Sequence, residues 1–206
     1  MSSPLELIPV TLPLIRGSTI IDIACGRGKW GYLLRVQWWC TKNGTLDAEP
    51  KYLVGIDIFK PFLETVKRYH VYDDVVLCDA AMLPFRSSSF DSVLASEVIE
   101  HLDKMQGMSL LNEMHRIAKR IEIVTTPNIL RRREGLVTPE GFNPYEKHVT
   151  RWTVRELRSH GFTIYGVGFL FFSIFSSRLN ALLSPISFLI PQLGSHLIAV
   201  KKRIPK

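Results

Sequence analysis

Cysteine is scarce and poorly placed for bridging. Cys25, Cys40 and Cys78 make an odd set with no C-x-x-C pair. That excludes a disulfide framework and a cysteine zinc site, and makes a reducing cytoplasm the expected compartment. Also missing is any unbroken apolar run of about 20 residues, the length a membrane-crossing helix needs. The most apolar stretch is cut by Pro185 and Pro191. No basic leader with an apolar core opens the chain, where Pro4, Pro9 and Pro13 intervene, so no targeting segment is expected. There is no internal repeat. Acidic residues run short in the second half: residues 104–206 hold 6 Asp and Glu against 16 Lys and Arg, net +10, whereas residues 1–103 hold 13 against 10, net −3. The asymmetry suits an anionic partner, nucleic acid or an acidic membrane surface; a solvated basic face explains it equally well.

What is present describes a folded domain. At 206 residues, 46% apolar and 22% charged, residues 1–206 are expected to form one domain with a substantial core. Strand and helix patterns alternate. Apolar runs at Ser18–Cys25, Tyr52–Ile58, Val75–Asp79, Phe90–Val98 and Ile121–Thr126 are separated by helical patterns at Lys29–Trp39, Pro61–Tyr69 and Lys104–Lys119. Continuous apolar strands between helices predict an α/β fold with a doubly wound, mostly parallel sheet covered on both faces. Residues 129–148, with Arg131, Arg132, Arg133, Gly135, Pro139, Gly141 and Pro144, read as a long loop. A helix at Thr153–His160 and strands at Phe162–Phe169 and Ser195–Lys202 end the pattern.

The most informative stretch is Ile20 to Gly31. An apolar run ends in Asp22, and Gly26-x-Gly28-x-x-Gly31 follows where a helix should start. Glycine tolerates positive φ and has no Cβ, so backbone N–H groups there can approach a nucleotide cofactor. Asp22, Asp57 and Asp79 stand at the carboxyl ends of three successive strands. Asp22 suits the ammonium end of an amino-acid cofactor, Asp57 a ribose diol and Asp79 an adenine exocyclic amine. Each alone could instead be a helix N-cap. Asp57 would serve NAD equally; Asp22 favours S-adenosylmethionine.

Taken in order, Asp22-Ile-Ala-Cys-Gly-Arg-Gly28, Gly55-Ile-Asp57, Cys78-Asp79-Ala80 and Phe90-Asp-Ser-Val-Leu-Ala-Ser-Glu-Val-Ile-Glu-His-Leu102 resemble successive motifs of the class I S-adenosylmethionine-dependent methyltransferases, the type 11 group above all. The resemblance covers roughly residues 15 to 165. It implies a seven-stranded Rossmann-like sheet whose last strand is antiparallel, the terminal pair supplying a C-terminal hairpin. It implies S-adenosylmethionine as cofactor, with Ala24, Cys25, Gly26, Gly28 and Gly31 in the binding turn and Ile58, Ala80 and Glu97 beside it. Ala24 stands where the family often has glycine.

Methyl transfer needs an acceptor held in line, and a base only where the acceptor must lose a proton. His101 and His148 are the candidates, with Glu97 and Glu100 nearby. Two carboxylates and two imidazoles also suit a divalent metal, the metal remaining unassigned. Glu97-x-x-Glu100-His101 with His148 before Trp152-Thr153 is similar to metal-dependent small-RNA terminal 2′-O-methyltransferases, with Arg131–Arg133 as phosphate contacts. The favoured acceptor is an unidentified small molecule, or one linked to lipid or sugar. RNA 2′-O-methylation is the rival enzymatic reading; a non-catalytic S-adenosylmethionine-binding regulatory subunit is the rival outside enzymology. The apolar insertion over residues 170–194 reads as a cover for the sheet edge, a homodimer contact or a peripheral membrane contact.

Overall fold

The computed structural model describes residues 4–40, 48–129, 133–169 and 185–203. A single helical turn, α1 (Ile8–Thr11), precedes β1 (Thr19–Ile23), α2 (Lys29–Cys40), β2 (Tyr52–Asp57), α3 (Lys60–Tyr69), β3 (Asp74–Leu77) and β4 (Phe90–Ser96). Then come α4 (Lys104–Ile117), β5 (Ala118–Pro127), β6 (Arg133–Thr138), β7 (Gly141–His148), α5 (Val154–Ser159), β8 (Thr163–Val167) and β9 (His196–Lys202). Local chemistry sets several boundaries. Pro61 stands in the first turn of α3, and His70 ends that helix in a left-handed conformation, φ 49°. Asp103 and Gln106 form a capping box on α4, as Thr153 and Glu156 do on α5.

The main sheet has seven strands in the order β3-β2-β1-β4-β5-β9-β8. The pairs from β3 to β5 are parallel, and β9 runs antiparallel to both of its neighbours. The expected doubly wound sheet with an antiparallel last strand is therefore present. Alternate residues of each strand feed two buried layers. One face packs Ile21, Val54, Val93, Val124 and Ala199 against Leu110, Met114 and Leu157; the other packs Ile20, Leu53, Leu94, Ile123 and Ile198 against Leu7, Trp30, Leu34 and Val66. Two-sided burial explains why these strands lack a polar period. Strand order reverses between β1 and β4, and their carboxyl ends open the crevice where such sheets bind ligands.

One expectation needs correction. Residues 133–148 are not a loop but a two-stranded antiparallel hairpin, β6–β7, forming a separate sheet. Arg131 and Arg132 lie outside the described residues, as do 170–184 of the apolar insertion. The rest of the insertion includes a helical stretch over 185–189, where Phe188 stacks on Tyr165 at 4.6 Å while Ile186, Leu189 and Ile190 are exposed. No helix among the described residues is long and apolar enough to cross a membrane.

Gly31 shows how tightly the first layer is built. A Cβ placed there would lie 2.5 Å from Tyr72 Cζ and 2.6 Å from Val71 Cγ1. Gly31→Ala gains about 1 kcal/mol of helix propensity but forces an overlap that costs about 1–3 kcal/mol. We expect a net loss in urea unfolding; an unchanged or raised midpoint would contradict this packing.

Candidate active site

The turn after β1 is held by backbone bonds. Cys25 N–H donates to the Ile56 carbonyl at 2.8 Å and Gly28 N–H to the Cys25 carbonyl at 2.9 Å. Ala24 has φ 54° and Gly26 φ 55°. Holding the alanine left-handed costs roughly 1 kcal/mol more than glycine would, which is the physical content of the departure at position 24. At Gly26 a Cβ would meet nothing within 4 Å. That open space belongs to a cavity.

The cavity measures about 300 Å³ and is lined by Gly26, Asp57, Ile58, Asp79, Ala80, Ser96, Glu97 and His101, with Asn143 to Lys147 of β7 as its roof. A smaller hollow of about 70 Å³, lined by Cys25, Arg27, Lys29, Trp30, Leu136 and Thr138, shares Ala24, Gly26, Phe62 and Ser96 with it. Asp57 anchors the floor. One carboxylate oxygen accepts from Gly26 N–H at 2.9 Å and the other from Phe59 N–H at 2.8 Å. Burial pushes its carboxyl up, against the pull of those two donors. Each oxygen keeps a second lone pair for a ligand hydroxyl. Asp79 accepts from Ala81 N–H through Oδ1 at 2.8 Å and presents its carboxylate to the same cavity.

Asp22 is elsewhere. It is 1% exposed and does not line either hollow; its Oδ2 accepts from the Tyr72 hydroxyl at 2.6 Å. The same hydroxyl accepts from Gly31 N–H at 3.3 Å. Asp22 thus supports the turn from beneath, through Tyr72 to Gly31. Gly31 is needed for packing on Tyr72. Gly28, φ 82°, places its missing Cβ 3.0 Å from Val66 Cγ1 and also lies outside the lining. Gly26 alone of the three glycines borders the cavity.

Glu97, like Ala24, is strained. Its φ is 57° although it is not glycine, and such outliers persist where surroundings over-determine them. Thr125 Oγ1 donates to its carboxylate at 2.9 Å. That commits the hydroxyl proton, so Ser96 Oγ, 2.8 Å away, donates to Thr125. His196 Nε2 lies 3.7 Å from the other carboxylate oxygen. Burial pushes Glu97 up to about 7, opposed by the Thr125 bond and the charge of Lys29.

Glu100, His101 and His148 form a second group, with one ligand atom from each all within 4.8 Å of one another. Glu97, expected to join them, is turned instead to Thr125 and His196. Thr126 Oγ1 donates to Glu100 at 3.1 Å. His101 Nδ1 is 3.0 Å from the Lys147 carbonyl, so that nitrogen carries the proton and Nε2 is the open lone pair. Burial lowers His101 to about 4, leaving the ring neutral at pH 7, the state that binds a metal or accepts a hydrogen bond. Thr125, Thr126, His196 and the roof residue Glu146, which is buried, were not marked by any local sequence signal.

Residues 21–121 match the family model described as a methyltransferase domain. That match covers just under half of the chain, and with the seven-stranded fold it makes the chain similar to the class I S-adenosylmethionine-dependent methyltransferases. It is 30% identical over 102 residues to a probable tRNA methyltransferase 9B of Bos taurus, an overlap of 49% of this chain and 19% of that protein. This chain therefore corresponds to about a fifth of that relative's length. In fold it is similar to an S-adenosylmethionine-dependent methyltransferase from Archaeoglobus fulgidus, with TM-score 0.62, 16% identity and coverage of 96% and 91% of the two chains. It is also similar to the small RNA methyltransferase HEN1, with TM-score 0.59, 16% identity, and coverage of 98% of this chain and 25% of that one. The family's cofactor suits the residues present: the open space at Gly26, the second lone pairs of Asp57 and the cavity-facing Asp79 would receive a turn-bound adenosyl group.

Proposed function

We propose that this chain is a methyltransferase that binds S-adenosylmethionine beneath the β6–β7 hairpin and methylates a small acceptor entering near His101. The observation that carries this reading is the meeting of Gly26, Asp57, Asp79, Glu97 and His101 on one cavity. When bound, S-adenosylmethionine supplies a methyl group on a cationic sulfur, activated for displacement. The chain's own part is to hold and to exclude water. Asp57 takes the ribose hydroxyls and Asp79 the adenine amine. Ser96 and Glu97 border the far end, and the hairpin roof keeps bulk water away. His101 Nε2, unprotonated at neutral pH, accepts a hydrogen bond from an acceptor hydroxyl or amine and so orients it; a ring lowered to about 4 is too weak a base to keep the proton, which passes on to solvent. Calorimetry with S-adenosylmethionine, its demethylated product and NAD tests the site, and a labelled-methyl screen of small-molecule, lipid and RNA fractions tests turnover. The first two ligands should bind and NAD should not. The reverse would overturn the reading, and binding without transfer to any fraction would favour a regulatory subunit.

A second reading rests on the Glu100–His101–His148 group. One carboxylate and two imidazoles suit a divalent ion of mixed oxygen and nitrogen preference. Such an ion could hold the terminal diol of an RNA and lower the pKa of the hydroxyl to be methylated. The similarity in fold to HEN1 supports it. We expect manganese or zinc to raise the melting temperature of the chain, and His148→Ala to abolish that rise. If zinc, manganese and magnesium all leave stability and activity unchanged, the metal reading fails.

A further inference from the structure

The roof hairpin is fastened unevenly. Its root, past His148, is pinned by several bonds. Val149 and Thr150 N–H both donate to the Glu100 carbonyl, at 2.9 and 3.1 Å. Thr150 Oγ1 donates to the Leu102 carbonyl at 2.8 Å, and His101 Nδ1 to the Lys147 carbonyl at 3.0 Å. The tip is different. There Glu140 reaches across to the opposite bank, where Arg27 donates to it through Nε at 3.0 Å and through a terminal nitrogen at 2.6 Å. Thr65 Oγ1 of α3 adds a longer contact at 3.5 Å.

Arg27 belongs to the turn after β1, and its guanidinium lies over Phe62 at 5.3 Å. Phe62 and Gly26 line both hollows beneath. The tip is internally closed by Thr138 Oγ1 donating to the Gly141 carbonyl at 2.7 Å, with Gly141 at φ 113°. A self-contained tip can release as a unit. The ion pair is half open to solvent, Arg27 being 46% and Glu140 16% exposed. Water and salt reach it, so its grip is weak and adjustable. Leu136 and Thr138 close the small hollow and Asn143 to Lys147 close the large one, so a ligand filling both lies under a bar anchored at one end and latched at the other.

We propose that the Arg27–Glu140 pair is a latch that gates exchange of the adenosyl ligand, the hairpin tip lifting from the turn to admit and release it. This rests on the cofactor site proposed above. A gate differs from a ligand contact in its kinetics. Weakening a gate speeds entry and exit together, whereas losing a bound-state contact speeds exit alone.

The test uses the full chain and S-adenosylhomocysteine, followed by stopped-flow fluorescence of Trp30, which lines the small hollow. In Glu140→Gln, association and dissociation rates should both rise about three- to fivefold, the scale of an exposed ion pair, with Kd kept within twofold. Raising salt should accelerate exchange in the wild type and have little effect in the variant. The reversed pair, Arg27→Glu with Glu140→Arg, should restore slow exchange. Unchanged rates, or a faster exit with equally weakened Kd, would overturn the latch while leaving the cofactor site intact. Failure of the wild-type chain to bind the probe at all would overturn both readings, which distinguishes the two failures.

Discussion

Asp57→Ala should weaken binding of S-adenosylhomocysteine by roughly a hundred- to a thousandfold, an expected loss of about 3–4 kcal/mol. The magnitude follows from what the carboxylate holds. Its two oxygens take the N–H groups of Gly26, after β1, and Phe59, after β2, in a setting where the residue is only 7% exposed. Leaving a buried donor without its partner costs about 1–3 kcal/mol. Part of that loss appears as stability, because the turn forms before any ligand arrives. The rest appears in binding, through the charge-assisted bonds to ribose hydroxyls that the same oxygens would make. Asp57→Asn should be nearly as damaging, since its amide nitrogen would confront one N–H donor with another. Calorimetric titration beside urea unfolding separates the two contributions. An affinity within fivefold of wild type would remove Asp57 from the ligand.

The sheet was legible because its strands are buried on both faces, so continuous apolar runs such as Leu53–Ile56 marked them and the intervening helices set the winding. The hairpin was not, for the same physical reason inverted. The inner side of β6–β7 faces the cavity instead of a core, and Thr138, Asn143 and Glu146 are buried where apolar residues would have signalled a strand. Gly135, φ 124°, sits where the β6–β7 register shifts, and Pro144 lies within β7 itself. These read as loop residues, though both occur where a short ribbon bends. At the site, Asp57 and Asp79 were readable from their places at strand ends. The surroundings of Glu97 were not. Ser96 meets Thr125 only through the β4–β5 register, and His196 arrives opposite Pro127 on an antiparallel strand about a hundred residues away in sequence. No local spacing encodes those neighbours.

Asp22 supplies the other large expected effect, and it reverses the sign that a ligand role would give. Burial raises its carboxyl to about 7, the Tyr72 hydroxyl holding it down and the charge of Asp57 adding to the rise. An unfolded aspartate titrates near 3.9. Between about pH 4 and 7 the folded chain keeps a proton that the unfolded chain has released. Asp22 therefore favours folding at low pH, and this contribution is lost as pH rises through 7. Glu97, also raised to about 7 by burial, acts in the same direction. His101, lowered to about 4, acts oppositely: its protonation favours unfolding as pH falls from about 6.5 to 4. The wild-type profile mixes these, so the informative quantity is the difference between wild type and Asp22→Asn. Asparagine keeps an oxygen for the Tyr72 hydroxyl and cannot ionise. At pH 8 the variant should be more stable by about 2 kcal/mol, reckoned at well under the roughly 1.4 kcal/mol that each tenfold change in proton affinity is worth. At pH 4.5 the advantage should nearly vanish. Because Asp22 lines neither hollow, affinity for S-adenosylhomocysteine should stay within about threefold of wild type. Urea unfolding at pH 4.5, 6.5 and 8 with a parallel binding titration decides it: a variant equally stable at both extremes ends the buried-acid account, and a hundredfold loss of affinity returns Asp22 to the ligand.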